Sequence, residues 1–372
     1  MNKRVLITGG AGFIGSHLSD ELLAQGYHVR ILDSLAPQVH GTAGGRPDYL
    51  NPEVELLHGD VRDPGQLVRA LQGMDAVFHF AALVGVGQSM YQVAHYTSVN
   101  NEGTAILLQA LIENPVERLV VASSMSIYGE GLYRTAGGTL VSGVERSLAQ
   151  LKSRDWELRD ADGDILAPVP TPETKPPTLA SVYALSKFDQ EQLCLMLGRA
   201  YGIPSVALRF FNVYGPRQAL SNPYTGVMAI FASRLLNGHP PLIFEDGQQQ
   251  RDFVSVHDVA RAARLALESP DAPGGVFNIG SGCHYTIREL ARRLGQVMGR
   301  EGVPVDISGK YRVGDIRHCF ADISRARAVL GYEPQVSLAD GLAELVGWLE
   351  GQSAEDRVDQ ARAELSARGL TV

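Results

Sequence analysis

Short apolar runs alternate with helical spacings along the first 210 residues. Arg4–Thr8, His28–Leu32, Val54–Leu57, Ala76–Phe80, Leu119–Ala122 and Ser205–Leu208 each read as a buried strand. Between them, Ile14–Ala24, Leu67–Leu71, Asn101–Glu113 and Ser181–Ala200 carry helical patterns. Strands that alternate with helices pair in parallel through right-handed crossovers, so the pattern predicts an α/β fold with a doubly wound parallel sheet. After Arg209 the pattern becomes mixed, with short strands and helices and many Gly and Pro, as a smaller lobe would show. The expected division is 1–208 for the doubly wound domain and 209–350 mainly for the smaller C-terminal lobe. Segments near 252–280 return to the first domain, and 351–372 form a peripheral, weakly amphipathic helix over Ala354–Arg368.

Residues 130–178 break the rhythm. They hold Gly131, Gly137, Gly138 and Gly163, a proline-rich stretch from Pro168 to Pro177, and dense charge at Lys152–Asp155. The stretch predicts a partly ordered insertion over the sheet edge or the site, with one short helix around Arg146–Leu151. A loop this long in a compact domain is usually a lid, an interface or disordered.

Composition narrows the class. A chain of 372 residues, 45% hydrophobic and 20% charged, can bury one large α/β domain or two closely joined ones. Mean hydropathy is −0.04 and no apolar run approaches bilayer thickness, so no membrane span is expected. The first strand starts so close to Met1 that no signal peptide is expected before it. A formal charge of −8 makes nucleic acid a poor partner. An anionic ligand would therefore need a few arginines placed to overcome the global charge locally. Cys194, Cys283 and Cys319 lie far apart without metal-ligand spacing, which suits reduced thiols and a cytoplasmic location.

Thr8-Gly9-Gly10-Ala11-Gly12-Phe13-Ile14-Gly15 lies between the first strand and the first helix. There Gly9 permits a sharp turn, Gly12 lets backbone approach a pyrophosphate, and Gly15 allows close helix–strand packing. Asp33 ends the second strand, where a carboxylate accepts hydrogen bonds from a ribose 2′-hydroxyl and repels a 2′-phosphate. No arginine follows it, which favours NAD over NADP. Asp60-Val61 is placed to border the adenine, or is a strand-end turn before a cap at Asp63-Pro64. Phe80-Ala81-Ala82 offers small residues at a strand end where a dinucleotide can lie. Asn100 either caps a helix or holds backbone near the nicotinamide.

Tyr183 and Lys187 stand four apart, on one helix face. A phenol is a poor base at neutral pH, and a neighbouring ammonium together with the nicotinamide charge would lower its pKa. Upstream, Val120–Gly129 reads VVASSMSIYG, with Ser124 placed to donate to a substrate oxygen and Ser126 as a second contact. Strand-terminating serines and a surface helix are the competing readings, and the context of the glycine loop and Asp33 weighs against them.

Together these motifs resemble the extended short-chain dehydrogenase/reductase family. Arg209–Arg217 (RFFNVYGPR), Arg251–Asp258 (RDFVSVHD) and Arg312–Arg317 (RVGDIR) agree with it in order. The subgroup resembled is the nucleotide-sugar 4-epimerases, similar to UDP-glucose 4-epimerase. The SSMSIYG run, the insertion and GDIRHCFAD look most like proteins described as dTDP-L-rhamnose 4-epimerases. The resemblance implies a Rossmann fold, NAD as cofactor, a nucleotide-sugar substrate and a homodimer. It implies that Gly9, Gly12, Phe13, Ile14, Gly15, Asp33, Asp60, Val61, Phe80, Ala81, Ala82, Asn100, Ser123, Tyr183, Lys187 and Phe210 hold NAD. It makes Ser124, Tyr183 and Lys187 catalytic. It places Ser124, Ser126, Asn212, Arg217, Phe244, Arg251, Arg312 and Asp315 against the substrate, with Arg317 as a further candidate. Arginine suits bidentate phosphate contacts, whereas each arginine taken alone reads better as a surface ion pair, and Phe244, which could stack on the base, more often as core.

Two departures bear on activity. Related 4,6-dehydratases carry an acidic pair after the residue matching Ser124, whereas Met125-Ser126 stand here, so loss of water lacks its acid and base. Relatives with such an insertion often carry paired cysteines, whereas 130–178 has none, so no metal is expected. Cys319 falls where epimerases border the sugar pocket, or is simply a small buried residue. The alternatives are an NADH-linked 4-ketoreductase or dehydrogenase, and a non-catalytic NAD-binding regulator.

Overall fold

Seven parallel strands make the central sheet, in the order Val276–Ile279, Ser205–Phe210, Arg118–Ser124, Ala76–His79, Arg4–Thr8, His28–Asp33 and Glu55–His58. The computed structural model describes residues 3–371 apart from 43, 313 and 353. Val313, inside one of the recognised motifs, therefore lies outside the described residues. Val5, Leu6, Ile7 and Leu119, Val120, Val121 are wholly buried because helices cover both faces of the sheet, which is why these strands read as continuous apolar runs. The helices Phe13–Ala24 and Val256–Glu268 cover one face through Leu18, Leu22, Ala262 and Ala266. Pro64–Leu71, Gly103–Glu113 and Val182–Tyr201 cover the other through Leu67, Leu107, Leu111 and Cys194. Successive strands run outward from Arg4–Thr8 in both directions, so the sheet reverses there, the position where open α/β sheets bind ligands.

The chain leaves this domain after Phe210 and returns with the helix Val256–Glu268 and then Val276–Ile279, which pairs with Ser205–Phe210 at the sheet edge. The remaining residues build a second core from Phe231, Leu235, Ile243, Leu290, Leu294, Leu342 and Leu345. Within that lobe Gln250–Arg251 lies between Tyr285–Thr286 and His318–Cys319.

The insertion holds more secondary structure than the one short helix expected. Leu132–Arg134 pairs antiparallel with Leu140–Ser142 and with Ala167–Val169 over a small core of Tyr133, Leu158 and Leu166. Its helix spans Leu148–Lys152. No residue of 130–178 lines the cavity described below; the insertion packs instead on Glu245 and Arg317 through Arg146, Glu157 and Glu130. The C-terminal helix, Val358–Ala367, corrects the expectation of a peripheral element. Ala361 and Leu365 are buried, and Val358, Ala361, Arg362 and Leu365 line the cavity.

Candidate active site

A cavity of about 920 Å³ runs along the carboxyl ends of the strands and into the cleft between the lobes. At one end is the glycine loop. Gly9 has φ +69°, and a Cβ there would sit 2.7 Å from the Ala81 backbone. A Cβ on Gly15 would sit 2.5 Å from Gly10 Cα, so only glycine lets the helix start this close to the strand. The helix begins at Gly12 with no side-chain cap and no acidic residue in its first turn. Its free N–H groups and positive dipole end suit a pyrophosphate.

Gly9, Gly12, Phe13, Ile14, Gly15, Asp33, Asp60, Val61, Phe80, Ala81, Ala82, Ser123, Ser124, Tyr183, Lys187 and Phe210 all line this cavity. Asp33 is oriented from below: one carboxylate oxygen accepts from Ala11 N at 3.0 Å and the other from Leu35 N at 2.9 Å. Asp60 accepts from the Arg62 guanidinium at 2.6 Å, which holds its carboxyl below the usual range. Asp63, as read, caps the next helix through Gln66 N at 3.0 Å.

Asn100 is buried inside a π-helical turn, Thr97–Glu102, and is not a helix cap. Its side chain accepts from Leu83 N at 2.7 Å and donates to Ser186 Oγ at 2.9 Å, holding cavity backbone to the helix that carries Tyr183. Ser123 lines the cavity with its backbone neighbours, whereas its hydroxyl turns away to Glu191 at 2.6 Å.

Ser124 ends its strand and starts a short helical turn, which presents its side chain to the cavity. Its Oγ accepts from Ser126 Oγ at 2.9 Å and from Ser126 N at 3.2 Å. With both lone pairs occupied, the Ser124 hydrogen is left to donate. The Tyr183 phenol lines the same cavity: burial raises its pKa and the nearby Ser124 hydroxyl lowers it. Lys187, one turn on, is held down to about 8 by burial.

At the other end stand Asn212, Phe244, Arg251, Arg312 and Asp315. Arg312 pairs with Asp315 at 2.8 Å and its guanidinium lies 5.6 Å from the centre of the Phe244 ring. Arg251 is anchored by donating to the carbonyls of Arg317 at 2.8 Å and Ile316 at 2.5 Å. Asn212 Oδ1, Gln218 Oε1 and Gln249 Oε1 are buried on this cavity without a hydrogen-bond partner among the described residues. Buried carbonyl oxygens left so are acceptors for a ligand's hydroxyl or N–H groups.

Besides Asn100, which does not line the cavity, three candidates stand away from it. Arg217 does not reach the cavity: it pairs with Asp20 at 2.7 Å and lies over the Tyr49 ring, the ion-pair alternative. Arg317 is wholly buried among Glu157, Glu245 and Asp246, a structural cluster away from the lining. Cys319 is core, with burial pushing its thiol up to about 12, and does not border the cavity. Conversely, the reading missed the cavity face of the C-terminal helix. The apolar spacing Val358, Ala361, Leu365 was its available signal.

The family described as NAD dependent epimerase/dehydratase matches residues 5–143 and 162–280. A dTDP-L-rhamnose 4-epimerase from Burkholderia thailandensis is 38% identical over 354 residues, covering 93% of this chain and 95% of that protein. The UDP-glucose 4-epimerase of Thermotoga maritima, solved with UDP-glucose, superposes with a TM-score of 0.76 at 33% identity, covering 93% of this chain and 98% of that one. The Thermus thermophilus UDP-glucose 4-epimerase, solved with NAD, gives 0.73 at 33% identity over 94% and 99%. No helix among the described residues is long and apolar enough to cross a membrane. With the glycine loop, Asp33 and the Ser124–Tyr183–Lys187 group on one cavity, the chain belongs to the NAD dependent epimerase/dehydratase family and is an NAD-dependent nucleotide-sugar epimerase.

Proposed function

We propose that the enzyme inverts C4 of a nucleotide-activated hexose, a dTDP- or UDP-sugar, through a transient 4-keto sugar, with dTDP-L-rhamnose the first candidate. The observation that carries this reading is the placing of the Ser124–Tyr183 pair in one cavity between the uncapped glycine loop and the Arg251/Arg312 pair. The sugar is suggested by the Burkholderia relative's substrate.

Bound NAD would supply a hydride acceptor at C4 and return the hydride to the other face. The side chains handle the protons and the orientation. Tyr183, as phenolate, takes the proton from the sugar O4 and later returns it. Ser124, its own acceptors filled by Ser126, donates to the same oxygen as charge changes there. Lys187 holds the cofactor ribose and favours the phenolate one turn away. Arg251 and Arg312 take the diphosphate, Asp315 the ribose, Phe244 the base, and Asn212 a donor of the nucleotide sugar. The same reading expects a homodimer in the cytoplasm, which light scattering on purified enzyme tests for its first part.

The deciding experiment is product NMR after incubation, without added reductant, with dTDP-L-rhamnose and separately with UDP-glucose and UDP-N-acetylglucosamine. A C4 epimer forming to equilibrium without NADH build-up supports the proposal and identifies the sugar. A stable keto sugar with accumulating NADH, or reaction only when NADH and a keto sugar are supplied, replaces it with a dehydrogenase or ketoreductase.

A further inference from the structure

We propose that Gln190 is a positioning residue that holds the Lys187 ammonium in its working place, and that Thr104 and His79 hold Gln190 in turn. The proposal rests on the reading of Lys187 as part of the active site.

Lys187 and Gln190 stand three apart on the Val182–Tyr201 helix, and both are buried. Lys187 Nζ donates to Gln190 Oε1 at 2.7 Å, and among the described residues this is the hydrogen-bond acceptor the ammonium finds. That contact fixes the amide, so Gln190 Nε2 points at Thr104 Oγ1, 2.8 Å away, and at the Ala81 carbonyl at 3.4 Å. The Thr104 hydroxyl donates to the Asn100 carbonyl, leaving its oxygen to accept. His79 Nε2 lies 2.8 Å from the same oxygen, and His79 Nδ1 lies 2.8 Å from Thr8 Oγ1.

In one of the two His79 tautomers every group is satisfied, and Gln190 Nε2 then lies 3.2 Å from His79 Nε2 as a neighbour and not as its donor. Thr8 donates to Nδ1, Nε2–H donates to Thr104, and the Gln190 amide donates to Thr104 beside it. His79 is then neutral, as burial and the nearby Lys187 charge require, since they hold its pKa down to about 3. The network therefore runs from Lys187 to Thr8, the residue before Gly9, and to Ala81 on the cavity wall.

The other groups facing Lys187 do little to keep its charge. Glu191 is already paired with Arg209 at 2.7 Å and with Ser123 at 2.6 Å. Burial pushes the Cys194 thiol up to about 12, so it is uncharged. Tyr183, on the preceding turn, is raised by its own burial. A buried ammonium keeps its proton only where an acceptor replaces water, and here that acceptor is a neutral amide that cannot neutralise it.

The test uses the full-length holoenzyme carrying lysine labelled with ¹³C in its side chain. Lys3, Lys152, Lys175, Lys187 and Lys310 are the only lysines in the sequence, and Lys187→Met identifies the signal of interest. Gln190→Met fills the same volume without an acceptor. The Lys187 ε-CH₂ signal should titrate near 8 in the wild type, and about one unit or more lower in the variant. The alkaline limb of turnover should move down with it while bound NAD per chain stays the same. An unmoved Lys187 titration in Gln190→Met overturns the proposal. If that variant does not fold, Gln190→Glu, which keeps an acceptor and adds charge, should raise the Lys187 titration, and an unmoved signal there overturns it equally. Failure of all three nucleotide sugars to react would remove the epimerase reading, yet the lysine titration would still decide the role of Gln190.

Discussion

Arg317 and Glu245 meet at 3.0 Å with their side chains 0% and 1% exposed. Glu245 also takes Arg146 of the insertion at 2.8 Å, and Arg317 also takes Glu157 of the insertion and Asp246. The Glu130 carboxylate accepts from the Arg317 and His318 backbone N–H groups and from the Tyr133 hydroxyl. The insertion is thus fastened to the strand that follows Arg312 and Asp315. Replacing Arg317 by Met leaves Glu245 with Arg146 alone and removes the buried partner of two half-exposed carboxylates. Breaking such a pair costs on the order of 3–5 kcal/mol. The expected outcome is a lower melting temperature, with new protease cuts within 130–178. An unchanged melting curve would show that the cluster is not what fastens the insertion.

Tyr183→Phe removes the proton acceptor and keeps the ring. Turnover should fall by roughly 10²–10⁴-fold, the usual range for loss of a general base, with bound NAD per chain unchanged. Ser124→Ala should cost less, because Ser126 stands 2.9 Å from the lost hydroxyl and can partly replace it. Steady-state rates with the sugar found by NMR, set beside the absorbance of bound cofactor, check both. Full activity in Tyr183→Phe would remove that residue from the chemistry.

The same two side chains set the pH profile. Tyr183 works as the phenolate, and burial raises its pKa, so activity should climb as pH rises. Lys187 works as the ammonium, and burial holds it down to about 8, so activity should fall again above that value. With NAD bound, whose positive nicotinamide would bring the phenol below the lysine, a bell with its alkaline limb near 8 is expected in kcat. A rate that stays flat well above pH 9 would mean that the lysine charge is not needed.

Six of the seven sheet strands could be read from the chain, the central ones because burial on both faces writes them as apolar runs, whereas Glu55–His58 at the edge is only partly buried. Val276–Ile279 hides because Asn278 sits in it. That side chain is buried and satisfied by Tyr128, Thr171 and Asp322, contacts between residues far apart in sequence. The three-residue strands of the insertion are too short to show a period of two. The site motifs were legible wherever backbone geometry demands a residue type, as at Gly9 and Gly15. Arginines carry no such mark. Arg217 and Arg312 look alike in sequence, and only the fold brings Asp20 to the first and the cavity to the second.

Asn212 separates binding from folding. Its Oδ1 is buried on the cavity without a partner among the described residues, a cost to the free protein that a bound donor would relieve. Asn212→Leu should leave the melting temperature unchanged or slightly higher. The KM for the nucleotide sugar should rise about tenfold, equivalent to ~1.4 kcal/mol. A lower melting temperature with unchanged KM would make Asn212 a structural residue.

The C-terminal helix reaches the substrate end of the cavity through specific contacts. Leu365 packs on Gly87, where an added Cβ would meet its Cδ2 at 3.2 Å. The Tyr91 and Tyr224 hydroxyls hold Glu364 at 3.0 and 3.1 Å. Thr371 forms a backbone bridge with Arg312, the residue proposed for the diphosphate. The seven-stranded sheet and the glycine loop receive no strand from this segment. Truncation after Gln352 should therefore spare NAD binding and kcat, while raising the KM for the nucleotide sugar about tenfold as Arg312 loses its support. Leu365→Asp, which keeps the segment and spoils its packing, should move KM in the same direction by less. If KM is unchanged in both, the helix covers the cavity without shaping it. If NAD is lost as well, the segment supports the whole fold, and its role at the substrate end has to be abandoned.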